Sequence, residues 1–409
     1  MTSLFSPTPA AVHGRRDELA ALAELLSARR RVVLHGPAGI GKTTLALAAA
    51  RRWCEAGEAE RVVYLSLASG ADATWAVDAM GVLLAGPEFI RLRRDLRPPA
   101  LLKAAAARPV VVIWDHLDRV PSPPWEGGDA VLRAILELGV ELTQTGRTRL
   151  IVAGREGDLR YVPYQPSRRV EVVGVGPLDD DGARELAAGA PPALAEESVA
   201  AAEGNPLALR LLLAAGADAP AREGPAGTPL ARAFDRFRLG LDEPAAHGLA
   251  ALAALRDGAA GDAFRAVCGD PAGLLDRLER AGLARGAPLP DGGRYLSFHE
   301  ALPALLEPAA DPGALAEAEE RQRRTYLELA YAWSGGESPW HPALALRELP
   351  NLLLAFARTL ESDHDDVAAL ADTLQELLGP PPPQAPTLIQ RVLTTADALG
   401  VHPAHAAHT

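Results

Sequence analysis

Cysteine is almost missing from this chain: Cys54 and Cys268 are the only two among 409 residues. Two thiols cannot build a disulfide framework, so a disulfide-held secreted scaffold is excluded and a reducing cytosol fits. Lysine is as scarce. Of 41 basic residues, Lys42 and Lys103 alone are lysine. A lysine kept against so strong an arginine bias invites a functional reading, because its flexible ammonium does what a planar guanidinium does not. Positive charge is short overall: 41 basic against 53 acidic residues leave −12. That argues against a protein that coats nucleic acid, though not against a local basic patch. No apolar run approaches the roughly 18 residues that span a bilayer. The opening "MTSLFSPTPAAVHGRR" lacks the basic-then-apolar order of a secretory leader. What is present is an ordinary globular balance, 48% hydrophobic and 23% charged, in a length that suits two to four domains of about 100–200 residues.

Along the chain, a helix is expected over 16–29, where Leu19, Leu22, Leu25 and Leu26 share a stripe. Five short apolar runs read as buried strands: 31–35, 62–67, 109–114, 149–153 and 170–175. Helical stretches near 42–56, 75–84 and 130–145 separate them. Strands alternating with helices predict a parallel sheet covered on both faces. Beyond Asp179 the strand signal stops, and 179–187 and 196–214 read as helices, broken by "GAPPA" and by "GNP". After a Gly/Pro-rich linker, three short helices (243–255, 262–267, 271–281) precede a hairpin with "DGG" as its turn. Helices followed by a hairpin is the winged-helix order. Four apolar-striped helices then fit 312–333, 342–361, 365–378 and 386–399, without a clean repeat signature. The expected division is a nucleotide-binding domain over 1–178, a helical lid over 179–220, a winged helix over 221–308 and a helical region over 309–409.

The strongest motif is "GPAGIGKTT", comprising Gly36, Pro37, Ala38, Gly39, Ile40, Gly41, Lys42, Thr43 and Thr44. It follows an expected strand and opens an expected helix, the context a phosphate-binding P-loop requires. The glycines let backbone N–H groups turn toward phosphates, and the helix N-terminus adds partial positive charge. Lys42 would reach the β/γ-phosphates of ATP or ADP, and the Thr43 hydroxyl would reach Mg²⁺.

Such a loop needs an acid on a neighbouring strand. In "PVVVIWDHLD", Asp115 ends an apolar run and suits the Mg²⁺ shell, through water. Hydrolytic relatives of this motif often carry a second acid directly after. Here His116 holds that place and Asp118 is the nearest carboxylate, either a base for water or a cap of the next segment. Arg155 ends "RLIVAGR", where a cation would face the γ-phosphate. His35 and His116 lack zinc spacing, and the two cysteines read as small buried apolar residues.

Taken in order, "VHGRRDELAALAELL", the P-loop, "VVVIWDHLD", "RLIVAGRE" and "EGNPLALRLL" resemble the STAND ATPases, the NB-ARC- and NACHT-like signalling NTPases. The likeness covers about residues 11–308. The segment from Val62 to Phe89 is further similar to bacterial STAND proteins that accompany CHAT proteases and helical repeats. The resemblance implies that Val12, His13, Gly14 and Arg15 lie by the adenine and that Pro206 packs on the base from the lid. Phe298-His299-Glu300 stands where this class often has Met-His-Asp, so His299 would touch the β-phosphate of ADP. It also implies an ADP-closed, ATP-open ATPase switch that self-associates and acts on an effector carried by another chain or a further segment.

Three other readings compete. A DNA-acting AAA+ initiator or loader also joins a P-loop domain to a winged helix. It would want a basic recognition helix, yet the candidate "PAGLLDRLERAGL" (271–283) balances Asp276 and Glu279 against Arg277 and Arg280. The second is the ATPase portion of a transcription regulator. The third, a P-loop kinase, leaves half the chain unexplained. Nucleic acid and membrane are therefore not expected as partners.

Overall fold

The computed structural model describes residues 12–67, 73–117, 129–144, 146–155, 170–219, 227–269, 271, 273–289, 293–307, 311–334, 342–360 and 364–378. The helix expected at 386–399 lies outside them, as does Asp118.

The first half of the chain alternates as its apolar runs predict. Helix α1 (Arg16–Ala28) leads to strand β1 (Arg31–His35) and helix α2 (Lys42–Glu55). Strand β2 (Arg61–Ser66) and helices α3 (Ala73–Ala85) and α4 (Arg97–Ala107) follow, then β3 (Val110–Asp115), α5 (Asp129–Gln144), β4 (Arg149–Gly154) and β5 (Val170–Gly174). The five strands form one parallel sheet in the order β2-β3-β4-β1-β5. Valine-rich strands buried on both faces are what a parallel sheet requires. Successive residues point to opposite faces. Val32, Leu34, Val111 and Ile113 pack with Leu19, Leu22 and Leu26 of α1 and with Leu45 and Ala49 of α2. Val33, Val112 and Trp114 pack with Met80 of α3, Leu101 of α4 and Ile135 and Leu142 of α5. Helices on both faces of the sheet make this an α/β P-loop NTPase fold.

All-helical structure takes over at α6 (Asp180–Leu186), α7 (Pro192–Ala202), α8 (Pro206–Ala215) and α9 (Pro229–Leu239). Next come α10 (Glu243–Ala251), β6 (Gly258–Ala260), α11 (Gly261–Cys268), α12 (Leu274–Ala281), β7 (Ala284–Pro288), β8 (Arg294–Phe298) and α13 (Leu302–Leu306). Three short strands pair in the order β6-β8-β7. Helices α14 (Pro312–Ser334), α15 (Pro342–Thr359) and α16 (His364–Leu378) complete the described chain. None of these helices is long and apolar enough to cross a membrane.

Two compact units result. One comprises Met1–Ala246, Ala272–Ala287 and Ser297–Pro308. It holds the parallel sheet, and within it α8 packs against α7, α9 and α12. The other comprises His247–Pro271, Pro288–Leu296 and Ala309–Thr409. There α14 packs against α11, α15 and α16 around Tyr326, Leu352, Phe356 and Leu370. Its core contains a buried polar knot: the Glu348 carboxylate accepts from Tyr326 Oη (2.7 Å), Asn351 Nδ2 (2.8 Å) and the Ala260 amide. Three donors around one enclosed carboxyl satisfy it without a paired cation.

Candidate functional site

In the sheet, His35 of β1 pairs with Gly154 of β4, and Ser66 of β2 with Asp115 of β3. The parallel strands therefore end level, and the segments after them emerge along one edge. That edge is where open α/β sheets bind ligands. The P-loop leaves β1 there and enters α2 at Lys42. Gly41 takes φ +101° with open space where a Cβ would project. Gly39, at φ +75°, has no room for a Cβ, which would meet the Asn205 and Leu207 side chains at about 2.9 and 2.8 Å. The start of α8 is thus pressed onto the loop. Asn205 Nδ2 donates to the Ala38 carbonyl (3.0 Å), while Asn205 Oδ1 caps α8 by accepting from the amides of Leu207 and Ala208.

Lys42 is buried. Its ammonium donates to the carbonyls of Gly36 and Pro37, each at 3.0 Å, and lies 3.7 Å from Glu300 Oε1. Asp115, 1% exposed, is the other anchor. Its Oδ2 accepts from Thr43 Oγ1 (2.6 Å) and Tyr64 Oη (3.0 Å), and its Oδ1 from the His116 amide (3.0 Å). Burial and the Asp115 charge push the Tyr64 phenol well above its usual range, so it stays a donor. A hydroxyl and a carboxylate in contact are hard-oxygen donors of the kind Mg²⁺ takes. The residues present therefore fit a metal-bound nucleotide.

His116 follows Asp115 directly, at φ +61°. A non-glycine residue there signals a conformation held by its surroundings. His116 Nδ1 shares a hydrogen bond with Ser66 Oγ (2.8 Å), and Nε2 lies 3.3 Å from Glu300 Oε2. Burial opposes charge on Glu300. His116, Lys42, His299 and, more weakly, Arg155 outweigh it and hold the carboxyl below its usual value. Arg155, just past β4, thus reaches the site by its field, and it is not among the residues that line the cavity.

The cavity at this edge encloses about 1070 Å³ of unfilled space, part of it open to solvent. Gly39 through Thr44 form its floor. Val12, His13, Arg15, Leu178, Leu186 and Pro206 form an end rich in apolar surface. Arg15 is mainly a brace there, donating to the carbonyls of Gly176 (2.6 Å) and Ile40 (3.3 Å) and pairing with Glu18. Gly14 sits behind, its amide donating to Glu185 Oε2 (2.9 Å). Gly36, Pro37 and Ala38 turn their carbonyls to Lys42 and Asn205 rather than lining the space.

Further lining comes from Gly282, Arg285 and residues 297–300. His299 lines the cavity, its amide bonded to the Leu283 carbonyl (2.9 Å). Its Nδ1 accepts from the Ala301 amide (3.1 Å), which places the ring proton of the neutral form on Nε2. Enclosure pushes this imidazole down to about 4, although part of its surface stays accessible. Two arginines in the wall escape any sequence motif. Arg285 Nη2 donates to Thr44 Oγ1 (3.1 Å). Arg210 faces the same space from α8. Burial lowers both, and the charge of Arg285 lowers Arg210 further. Arg210 follows Pro206 by four residues, so one helical face carries both. That spacing was the signal available. Nothing local marks Arg285, and Glu300 stands out in the sequence only within the Phe298-His299-Glu300 likeness.

Sequence comparison gives no match to a protein-family model and no significant match among curated proteins. Structural comparison does. The chain is similar to a Signal Transduction ATPase with Numerous Domains (STAND) protein with a tetratricopeptide repeat sensor from Pyrococcus horikoshii, at 16% identity and TM-score 0.61. The match covers 97% of this chain and 55% of that one, so this chain spans about half the length of its structural relative. Weaker likenesses include Cdc6p from Pyrobaculum aerophilum (16% identity, TM-score 0.41, 77% of this chain and 97% of that one). Domain III of the replication initiation protein DnaA from Thermotoga maritima gives 16% identity and TM-score 0.34, over 52% and 83%. At 16% identity and TM-score 0.61, the likeness to the STAND protein is one of fold.

Proposed function

We propose that this chain is a nucleotide-operated signalling switch. It binds ATP and ADP with Mg²⁺ and hydrolyses ATP slowly. It rests closed around ADP, and it opens and self-associates with ATP. One observation carries the reading: a single cavity is lined by the P-loop, by α8, and by Gly282, Arg285 and residues 297–300. A nucleotide touching all three stabilises their association. A ligand with different affinity for two arrangements shifts the balance between them.

In this reading Lys42 reaches the β/γ-phosphates. Thr43 and Asp115 hold Mg²⁺ through water, and the metal supplies charge neutralisation. Val12 and His13 flank the adenine, with Gly14 and Arg15 behind them, and Pro206 packs on the base. His299 donates from Nε2 to the β-phosphate. Arg155 senses the γ-phosphate through the field it already exerts on Glu300. The functional division is a nucleotide-binding domain over 1–178, a lid over 179–220, a winged helix over 221–308 and a sensing region over 309–409. The effector is another chain or a further segment, and the setting is cytoplasmic.

The test is the nucleotide retained on purification and the mass in solution by light scattering. We expect retained ADP and a monomer, and a larger species after exchange into a non-hydrolysable ATP analogue. A protein that retains no nucleotide and keeps one mass in both nucleotides contradicts the switch.

A further inference from the structure

ATP hydrolysis requires a group that takes a proton from the attacking water, beside the metal-binding acid and across from the leaving ADP. Among the described residues the end of β3 does not offer one: Asp115 is already engaged by Thr43, Tyr64 and the His116 amide. A carboxylate nevertheless stands at the place. The Glu300 side chain, 7% exposed, sets Oε1 3.7 Å from the Lys42 ammonium and Oε2 3.3 Å from His116 Nε2. It lines the cavity, and this same Oε2 is buried and completes no hydrogen bond despite its closeness to His116. His116 is in turn anchored through Nδ1 on Ser66 and held in a left-handed backbone. The segment after β8 thus places a carboxylate between the lysine that grips the phosphates and the residue that follows the metal acid.

We propose that Glu300 is the catalytic carboxylate for ATP hydrolysis, supplied in cis from the segment after β8, with His116 as its positioning residue. The assignment rests on the nucleotide-binding reading above. In the step, the water oxygen bonds to the γ-phosphorus as the bond from that phosphorus to the β,γ-bridging oxygen breaks. The bond's electron pair leaves with ADP. The water proton passes to a Glu300 oxygen and from there to solvent, giving ADP and phosphate. Lys42 and Glu300 are close before ATP arrives. The γ-phosphate takes over the lysine's charge and leaves the carboxylate facing water.

The test compares wild type with Glu300→Gln in the full chain. It measures steady-state hydrolysis and, separately, calorimetric affinity for ADP, for a non-hydrolysable ATP analogue and for ADP with fluoroaluminate. Hydrolysis is expected to fall by about a hundredfold or more, the scale of a lost general base. Affinity for ADP and the analogue should stay within about threefold, and the fluoroaluminate complex should weaken about tenfold or more. Should Glu300→Gln fail to fold by thermal unfolding, Glu300→Asp keeps the charge on a shorter arm and should show a partial loss of hydrolysis with ADP affinity intact. Undiminished hydrolysis in the variant overturns the assignment. So does a tenfold or greater gain in analogue affinity with hydrolysis intact, which would make Glu300 an intramolecular occupant of the γ-phosphate place. A wild type that binds nucleotide without hydrolysing it removes the catalytic role and leaves the binding reading standing. A wild type that binds neither nucleotide removes both.

Discussion

His299 carries a charge state that its surroundings decide. A free imidazole titrates near 6.5, while enclosure in the cavity wall brings this one to about 4. As pH falls through about 6.5, the unfolded chain gains a proton that the folded chain refuses. The stability tied to neutral His299 is complete above about 6.5 and is lost progressively toward 4, about 3 kcal/mol in all. Urea unfolding at pH 7.5 and 5 should therefore show a larger acid loss in wild type than in His299→Gln. Equal losses would mean the ring is not held neutral. The same residue tests the lock. A hydrogen bond to a charged phosphate contributes about 1.5–3 kcal/mol, so His299→Ala, which leaves no donor there, should release ADP about tenfold faster or more. A lower melting temperature in nucleotide-free protein with an unchanged ADP off-rate would make His299 a packing residue.

At the scale of elements, α8 joins fold to site. Asn205 caps it and ties it to the P-loop at Ala38. Asn205→Ala removes a cap and a loop contact together, so a loss of about 1–2 kcal/mol in denaturant unfolding is expected, with ADP affinity reduced. Unchanged stability would mean the cap is replaceable by water. The same scale explains what the sequence made readable. The five strands were visible because each is a valine-rich run bounded by turn residues, and their ends fall within a residue or so of expectation. The helix α4 was missed because Pro98 and Pro99 look like a loop, whereas proline is tolerated at the first helical turn. The helical stretch 196–214 reads as broken at "GNP", and the structure divides it there into α7 and α8, with Asn205 as the second cap. The helix α9 went unread beside its Gly/Pro-rich linker, and β6 is too short to carry a pattern. Within the site, the P-loop was readable because its chemistry is local. Arg285 meets Thr44 across 241 residues, and no local spacing encodes such an encounter. Glu300 was noted only as part of a motif likeness. Its approach to Lys42 and His116 is a tertiary event.

On the scale of the whole molecule, charge and architecture point the same way. A chain of −12 repels a phosphate backbone at long range, yet it gathers Lys42, Arg210 and Arg285 around one cavity. Local positive charge in a globally acidic protein suits a small anion better than a polyanion. If this cavity holds a nucleotide by its phosphates, Lys42→Ala must weaken that hold. The substitution removes the ammonium at the β/γ-phosphates and leaves the α1–α2 core untouched. In calorimetric titration of both proteins with ADP and a non-hydrolysable ATP analogue, the account predicts that Lys42→Ala weakens each at least about tenfold, roughly 1.4 kcal/mol, with thermal unfolding preserved. Equal affinities for both nucleotides in the two proteins would contradict it.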